Sequence, residues 1–178
     1  MLITLGIRGL EYNWFGKSVV RTCYCGVMCS QGVSMDIQFK RASELKYAES
    51  LTQSNMASYY LTRNIVWDSN LFINNWAILD NFEIFADNYR VGIVRFSYNE
   101  STTFLRDLQL SPEFHGKGIG AKSLDMIINH ARQHQSKKLR LRVFSENPAI
   151  KLYKEKGFTQ TVEVNGLIEM EFTLSSNT

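Results

Sequence analysis

The sequence predicts one mixed α/β domain of the α+β kind, and three observations carry that reading. The first is a strand, a glycine-rich loop and an amphipathic helix in succession between Phe104 and Arg132. The second is an alternating pair of segments, Asn81 to Ala86 and Tyr89 to Tyr98, which reads as an antiparallel hairpin turning at Asp87-Asn88. The third is size. A chain of 178 residues with 44% hydrophobic content has room for one real core and gives no reason for two.

Taken in order, residues 1–34 fit none of these patterns. Leu2 to Ile7 is too short, and too soon interrupted by Arg8 and Glu11, for a signal sequence, and nothing approaches a membrane span. Cys23, Cys25 and Cys29 stand in Cys-x-Cys-x-x-x-Cys spacing, without the second pair or the histidines that complete a zinc site. They read as free thiols in a reducing compartment, and no metal is expected. Ser43 is a reasonable cap for a helix over Glu44 to Leu51. A second helical stretch covers about Met56 to Thr62, and an aromatic-rich connection follows through Trp67, Phe72 and Trp76. Most of these aromatics are expected in the core. After the hairpin, Asn99-Glu100-Ser101 turns the chain into a strand from Thr103 to Leu110, and Ser111-Pro112 turns it again. Ile119, Leu124, Ile127, Ile128 and Ala131 then recur at the three-and-four spacing of one buried helical face. Ser175 to Thr178 read as a frayed tail.

The loop that enters this helix, His115-Gly116-Lys117-Gly118-Ile119-Gly120, carries the chemistry. It gathers unpaired backbone N–H groups at the positive end of a helix, and its glycines let a ligand come close to the backbone. Such a nest suits an anion, and pyrophosphate in particular. A P-loop is excluded because Lys117 precedes Gly118 instead of following the last glycine. A dinucleotide fingerprint is disfavoured because Gly118-Ile119-Gly120-Ala121-Lys122-Ser123 ends in serine and does not follow the strand directly. The net charge of +3 is no argument for nucleic acid. Its distribution is uneven: residues 115–156 hold 10 Lys/Arg against 3 Asp/Glu, a balance of +7, while the remainder holds 10 against 14, or −4. A phosphate-rich ligand would favour that basic half.

This strand, loop and helix resemble motif A of the GNAT superfamily of acyl-CoA-dependent N-acyltransferases, with a core of Gln/Arg-x-x-Gly-x-Gly/Ala. Gly118 and Gly120 fit it, and His115 departs from it at the first position. Leu139 to Val143, then Ser145-Glu146-Asn147-Pro148-Ala149 and Leu152 to Phe158, are similar to motif B of the same family. Met35 to Ala42 resembles its usual first strand, and the resemblance runs from about residue 36 to 173. It implies an extension over 1–34, a GNAT N-acetyltransferase domain over 35–174 and a tail over 175–178, with Met35 as a candidate natural start. It also implies a mixed, mostly antiparallel sheet of six to seven strands flanked by helices.

The resemblance further implies acetyl transfer in the cytoplasm from acetyl-CoA to an amine acceptor, a small molecule or a protein amino group, with no metal, nucleic acid or membrane, and with room for a homodimer. A catalytically silent CoA-binding sensor or assembly module is the competing expectation. By the same resemblance Leu108, Gln109 and Leu110 hold the pantetheine arm. His115, Gly116, Lys117, Gly118, Ile119, Gly120 and Ala121 hold the pyrophosphate, and Asn147, also a helix cap ahead of Pro148, touches CoA. Tyr153 stands at the position of the acid that protonates the departing thiolate. Asp107 is the candidate general base, ahead of Glu83 and Glu100, although it could simply pair with a charge or face solvent, and a water chain could replace it.

Overall fold

The computed structural model describes residues 35–174. The expected extension, its three cysteines and the expected tail lie outside them. Seven strands form one sheet in the order β1-β2-β3-β4-β5-β7-β6. These are β1 (Ile37–Arg41), β2 (Asp80–Ala86), β3 (Tyr89–Tyr98), β4 (Thr102–Leu110), β5 (Lys138–Phe144), β6 (Thr159–Val164) and β7 (Leu167–Thr173). Only the β4–β5 pairing is parallel. Four helices flank the sheet: α1 (Leu45–Leu61), α2 (Ser69–Ile78), α3 (Ile119–Gln133) and α4 (Ala149–Glu155).

The helices divide between the two faces as the strand periodicity requires. Ile119, Leu124, Ile127, Ile128 and Ala131 of α3 pack with Val94 and Phe96 of β3, Leu105 of β4 and Leu139, Leu141 and Val143 of β5 in the main core. On the opposite face, Ala48 and Leu51 of α1 and Phe72 of α2 close over Ile93. Met56 and Tyr60, further along α1, pack with Phe144.

Three local expectations are corrected. Ser43 does not cap the first helix: the cap position falls on Glu44 and no side chain bonds to it. The two predicted helical stretches are one 17-residue helix, because a continuous buried stripe (Ala48, Leu51, Thr52, Met56, Tyr60) carries it across its polar middle. The aromatic-rich connection contains a helix of its own, α2, started by Asp68, whose side chain accepts from Leu71 N–H at 2.9 Å. The hairpin holds as read, with Asp87 and Asn88 both at positive φ in its turn.

At the far end of α3, Asp80, Tyr98, His130 and His134 form a polar group on an aromatic bed. Tyr98 Oη donates to Asp80 Oδ2 at 2.8 Å and lies 2.8 Å from His130 Nε2. Since the phenol has one proton, the His130 Nε2–H is the donor in the second bond. His130 stacks on Phe96 and His134 on Tyr98, with centroids 4.4 and 4.2 Å apart. Burial, and then the neighbouring His134, pull the His130 imidazole down to about 4.

Candidate active site

The site is built from a fault in the sheet. On the β3 side, Arg95 opposes Asp107 and Phe96 opposes Leu105, so Arg106 has no partner and β4 carries a bulge there. The bulge turns Leu105 and Leu108 to the same face, and both enter the main core. On the β5 side, pairing ends at Leu105↔Leu141, although β4 runs on to Leu110 and β5 to Phe144. From Arg106 onward the two strands diverge, leaving the backbone of β4 without a ladder on that edge.

Gly92 permits the close approach of β3 that supports this edge. A Cβ there would stand 2.1 Å from the carbonyl oxygen of Gln109. The end of β4 is held from two other directions. The Leu110 carbonyl accepts from Asn55 Nδ2 of α1 and from His115 Nε2, each at 2.9 Å.

Past Leu110 a single 3-10 turn (Pro112–Phe114) leads into the glycine loop. Gly116 and Gly118 have φ of +72° and +77°, the left-handed region that other residues enter only at a cost. No described atom lies within 4 Å of where a Cβ would stand at either one. Gly118 caps α3. The first N–H groups of α3 therefore face open space at the positive end of its dipole.

From β5 the chain turns through Ser145–Pro148 into α4. Asn147 Oδ1 accepts from Ala149 N–H at 2.9 Å, which performs the expected capping, while helix geometry begins one residue later than expected. Tyr153 is fully buried beneath this helix with its ring 5.8 Å from Phe158, and burial pushes its phenol up.

A cavity of about 520 Å³ joins these parts. Leu108 and Leu110 of β4 line it, with His115, Gly116, Gly118, Gly120 and Ala121 of the loop and first turn of α3, and Asn147, Leu152 and Tyr153 around α4. Thus eight of the predicted site residues outside α4, or capping it, converge with Tyr153 on one space. Three of the expected binding residues do not line it. Gln109 turns to the opposite face, where its Oε1 accepts from Asn55 Nδ2 at 3.2 Å. Lys117 lies over the Phe114 ring at 5.2 Å, and Ile119 sits in the core with 1% of its surface exposed.

The expectation that Asp107 acts as base finds no support in this geometry. Its carboxylate lies on the α1–α2 face, fully buried, and accepts from Arg95 Nε at 2.7 Å. The Arg95 guanidinium, equally buried, lies over the Phe72 ring at 4.2 Å. The bulge is the cause, because it sends Leu108 toward the cavity and Asp107 away from it. Glu83 pairs with Arg90 at 3.3 Å, and Glu100 is exposed in the β3–β4 turn. Among the described residues, no carboxylate lines the cavity.

Sequence reasoning missed Tyr59 and Phe114, which also line the cavity, and Asn55 and Arg63, which hold its walls. Tyr59 stacks on Phe144 at 5.6 Å. Arg63 NH2 donates to Glu146 Oε2 at 2.6 Å and NH1 to Oε1, tying the end of α1 to the turn before α4. Tyr59 lies within the helical stretch expected over Met56 to Thr62, but only the cavity shows which face of that helix meets a ligand.

The sequence profile of the Acetyltransferase (GNAT) family matches residues 48–158. Among solved structures, a GNAT family acetyltransferase from Elizabethkingia anophelis with acetyl-CoA bound superposes with a TM-score of 0.62 at 18% identity, over 80% of this chain and 100% of that one. The ribosomal-protein-S18-alanine N-acetyltransferase of Escherichia coli gives a TM-score of 0.63 at 17% identity, over 80% and 97%. The N-acetyltransferase PseH of Campylobacter jejuni, in complex with acetyl coenzyme A, gives 0.59 at 19%, over 78% and 99%. At these identities the likeness shows the fold. No curated protein sequence matches the chain significantly.

Proposed function

This chain belongs to the GNAT acetyltransferase family, and from that premise we propose that it transfers an acetyl group from acetyl-CoA to a primary amine by direct attack on the thioester. The observation that carries the proposal is the convergence of the glycine nest, the open edge of β4 and Tyr153 on one cavity. Acetyl-CoA has the matching parts in the matching order. Its pyrophosphate suits the N-terminus of α3, its pantetheine arm can bond to the unladdered backbone of β4, and its thioester then lies toward Tyr153. The acetyl-CoA and CoA held by structural neighbours support this assignment.

Three events follow, and groups of this chain serve the last two. The amine attacks as the free base, and the thioester carbonyl becomes an oxyanion. A backbone N–H of β4 in the splay stabilises that charge, a contribution of about 2.7–4 kcal/mol for a fixed donor in a dry site. The tetrahedral centre then collapses, the carbon–sulfur bond breaks, Tyr153 supplies a proton to the sulfur, and the proton given up by the attacking nitrogen returns through water to the Tyr153 oxygen.

An ordinary phenol at about 10 is a weaker acid than an ordinary thiol at about 8.5, so this transfer looks uphill. The same burial that raises Tyr153 also penalises a thiolate in the cavity, so the sulfur's affinity for a proton rises along with that of the phenol. Burial has a second effect: the phenol stays protonated at neutral pH and ready to donate. With no carboxylate lining the cavity, the ammonium proton of the acceptor leaves through water, and Asp107 serves by holding Arg95 beneath β4.

Thiol release from acetyl-CoA, followed against a panel of primary amines, tests the proposal. Amine-dependent release at a rate well above the hydrolytic background is expected. Tight CoA binding without release on any amine would replace it with the CoA-sensor reading.

A further inference from the structure

The group at the far end of α3 has no part in acetyl transfer, yet it collects metal-binding chemistry. Asp80, His130 and His134 can each present a ligand atom such that all three atoms lie within 4.8 Å of one another. His130 lies in the last turn of α3 and His134, four residues on, is its C-cap, so one turn brings them to the same face. Asp80 comes from the first position of β2, across the surface of the sheet. We propose that Asp80, His130 and His134 form a binding site for a single zinc ion that clips the C-terminal end of α3 to β2.

Two imidazoles and a carboxylate form a donor set that suits zinc and the neighbouring late divalent metals, and disfavours magnesium and calcium, which prefer oxygen alone. Three protein ligands leave the fourth tetrahedral position to water. The surroundings supply orientation. Tyr98 Oη donates to Asp80 Oδ2 and so fixes the carboxylate, as outer partners of metal ligands commonly do. Phe96 backs the His130 ring.

Arg41 pairs with Asp80, but the Arg41 side chain is 71% exposed and can swing into water when a cation arrives. His134 is exposed, which gives the ion a path in. The glycine loop lies at the opposite end of the 15-residue helix, roughly 20 Å away. The ion is therefore a structural clip on the element that carries the phosphate nest, and takes no step in the reaction.

This departs from the expectation of no metal drawn from the cysteines and the family resemblance. The full chain also carries Cys23, Cys25 and Cys29, which could bind the same ions, so the test must tell nitrogen and oxygen ligands from thiolate. Cobalt(II) titrated into the reduced, metal-free full chain does so. One equivalent is expected, with visible d–d bands and no thiolate charge-transfer band. His134→Ala and Asp80→Asn should each weaken binding at least about tenfold, while Cys23, Cys25 and Cys29 all changed to Ser should leave it unchanged.

Zinc at a hundredfold excess over its Kd should raise the melting temperature by about 5–10 °C, and either ligand variant should abolish that rise. Acetyl-transfer activity of metal-free His134→Ala should match that of the metal-free parent chain. No binding at millimolar cobalt or zinc would overturn the proposal. So would binding that survives both ligand variants, or a thiolate band that disappears with the cysteines.

Discussion

At Tyr153 the choice lies between a catalytic hydroxyl and a packed ring, since full burial serves both. Phenylalanine keeps the ring against Phe158 and removes only the oxygen. Tyr153→Phe should lower kcat at least about tenfold, as expected when a general acid is lost, with melting temperature and CoA affinity nearly unchanged. A kcat equal to that of the parent chain would remove Tyr153 from the mechanism. Asp107 calls for the opposite readout. Replacing one partner of a buried ion pair leaves the other charge stranded, at a cost of about 3 kcal/mol or more. Asp107→Asn should therefore lower the melting temperature by about 6–12 °C, with kcat at low temperature close to normal. If kcat instead collapses while the fold stays intact, the carboxylate handles the proton after all.

Among the elements, the glycine loop and the end of β4 carry the binding. Gly118 caps α3 at φ +77°, where a β-branched residue is strained and where its side chain would fill the space left for phosphate. Gly118→Val should abolish CoA binding measured by calorimetry, whereas His115→Gln, which retains a donor for the Leu110 carbonyl, should leave the affinity close to that of the parent chain. Unchanged affinity in Gly118→Val would refute the phosphate assignment. Gly92 makes a different kind of prediction. The 2.1 Å approach of its missing Cβ to Gln109 O means that Gly92→Ala must push β4 off its register. The expected result is a loss of about 1–3 kcal/mol of stability in denaturant melts, together with weaker CoA binding.

For the whole molecule, ligand binding and folding are linked. A ligand that binds only the folded chain adds about 2.7 kcal/mol of stability at a hundredfold excess over Kd, or roughly 5–10 °C in melting temperature. Acetyl-CoA should produce that rise in the parent chain and in Tyr153→Phe, and none in Gly118→Val. A rise of equal size in Gly118→Val would place the cofactor elsewhere.

Much of this protein is legible in its sequence, because much of it is local. The hairpin at Asp87-Asn88 rests on alternation and on two residues that tolerate positive φ. The apolar stripe of α3 rests on helical period, and the glycine nest rests on glycines that sit in the left-handed region the loop requires. The reading of residues 45–61 as two stretches failed where a buried face, visible only once the sheet lies beneath it, outweighs Ser50, Ser54 and Asn55. The role of Asp107 was beyond local reading for a related reason. A single bulge at Arg106 decides which side of the sheet each following residue faces, and bulges arise from pairing between strands. The same holds for Asp80, which stands 50 residues before His130 in the chain and beside it in the fold. Sequence alone determined the segments whose structure depends on near neighbours. The tertiary structure decided which face each residue meets, because that depends on strand register and on partners far along the chain.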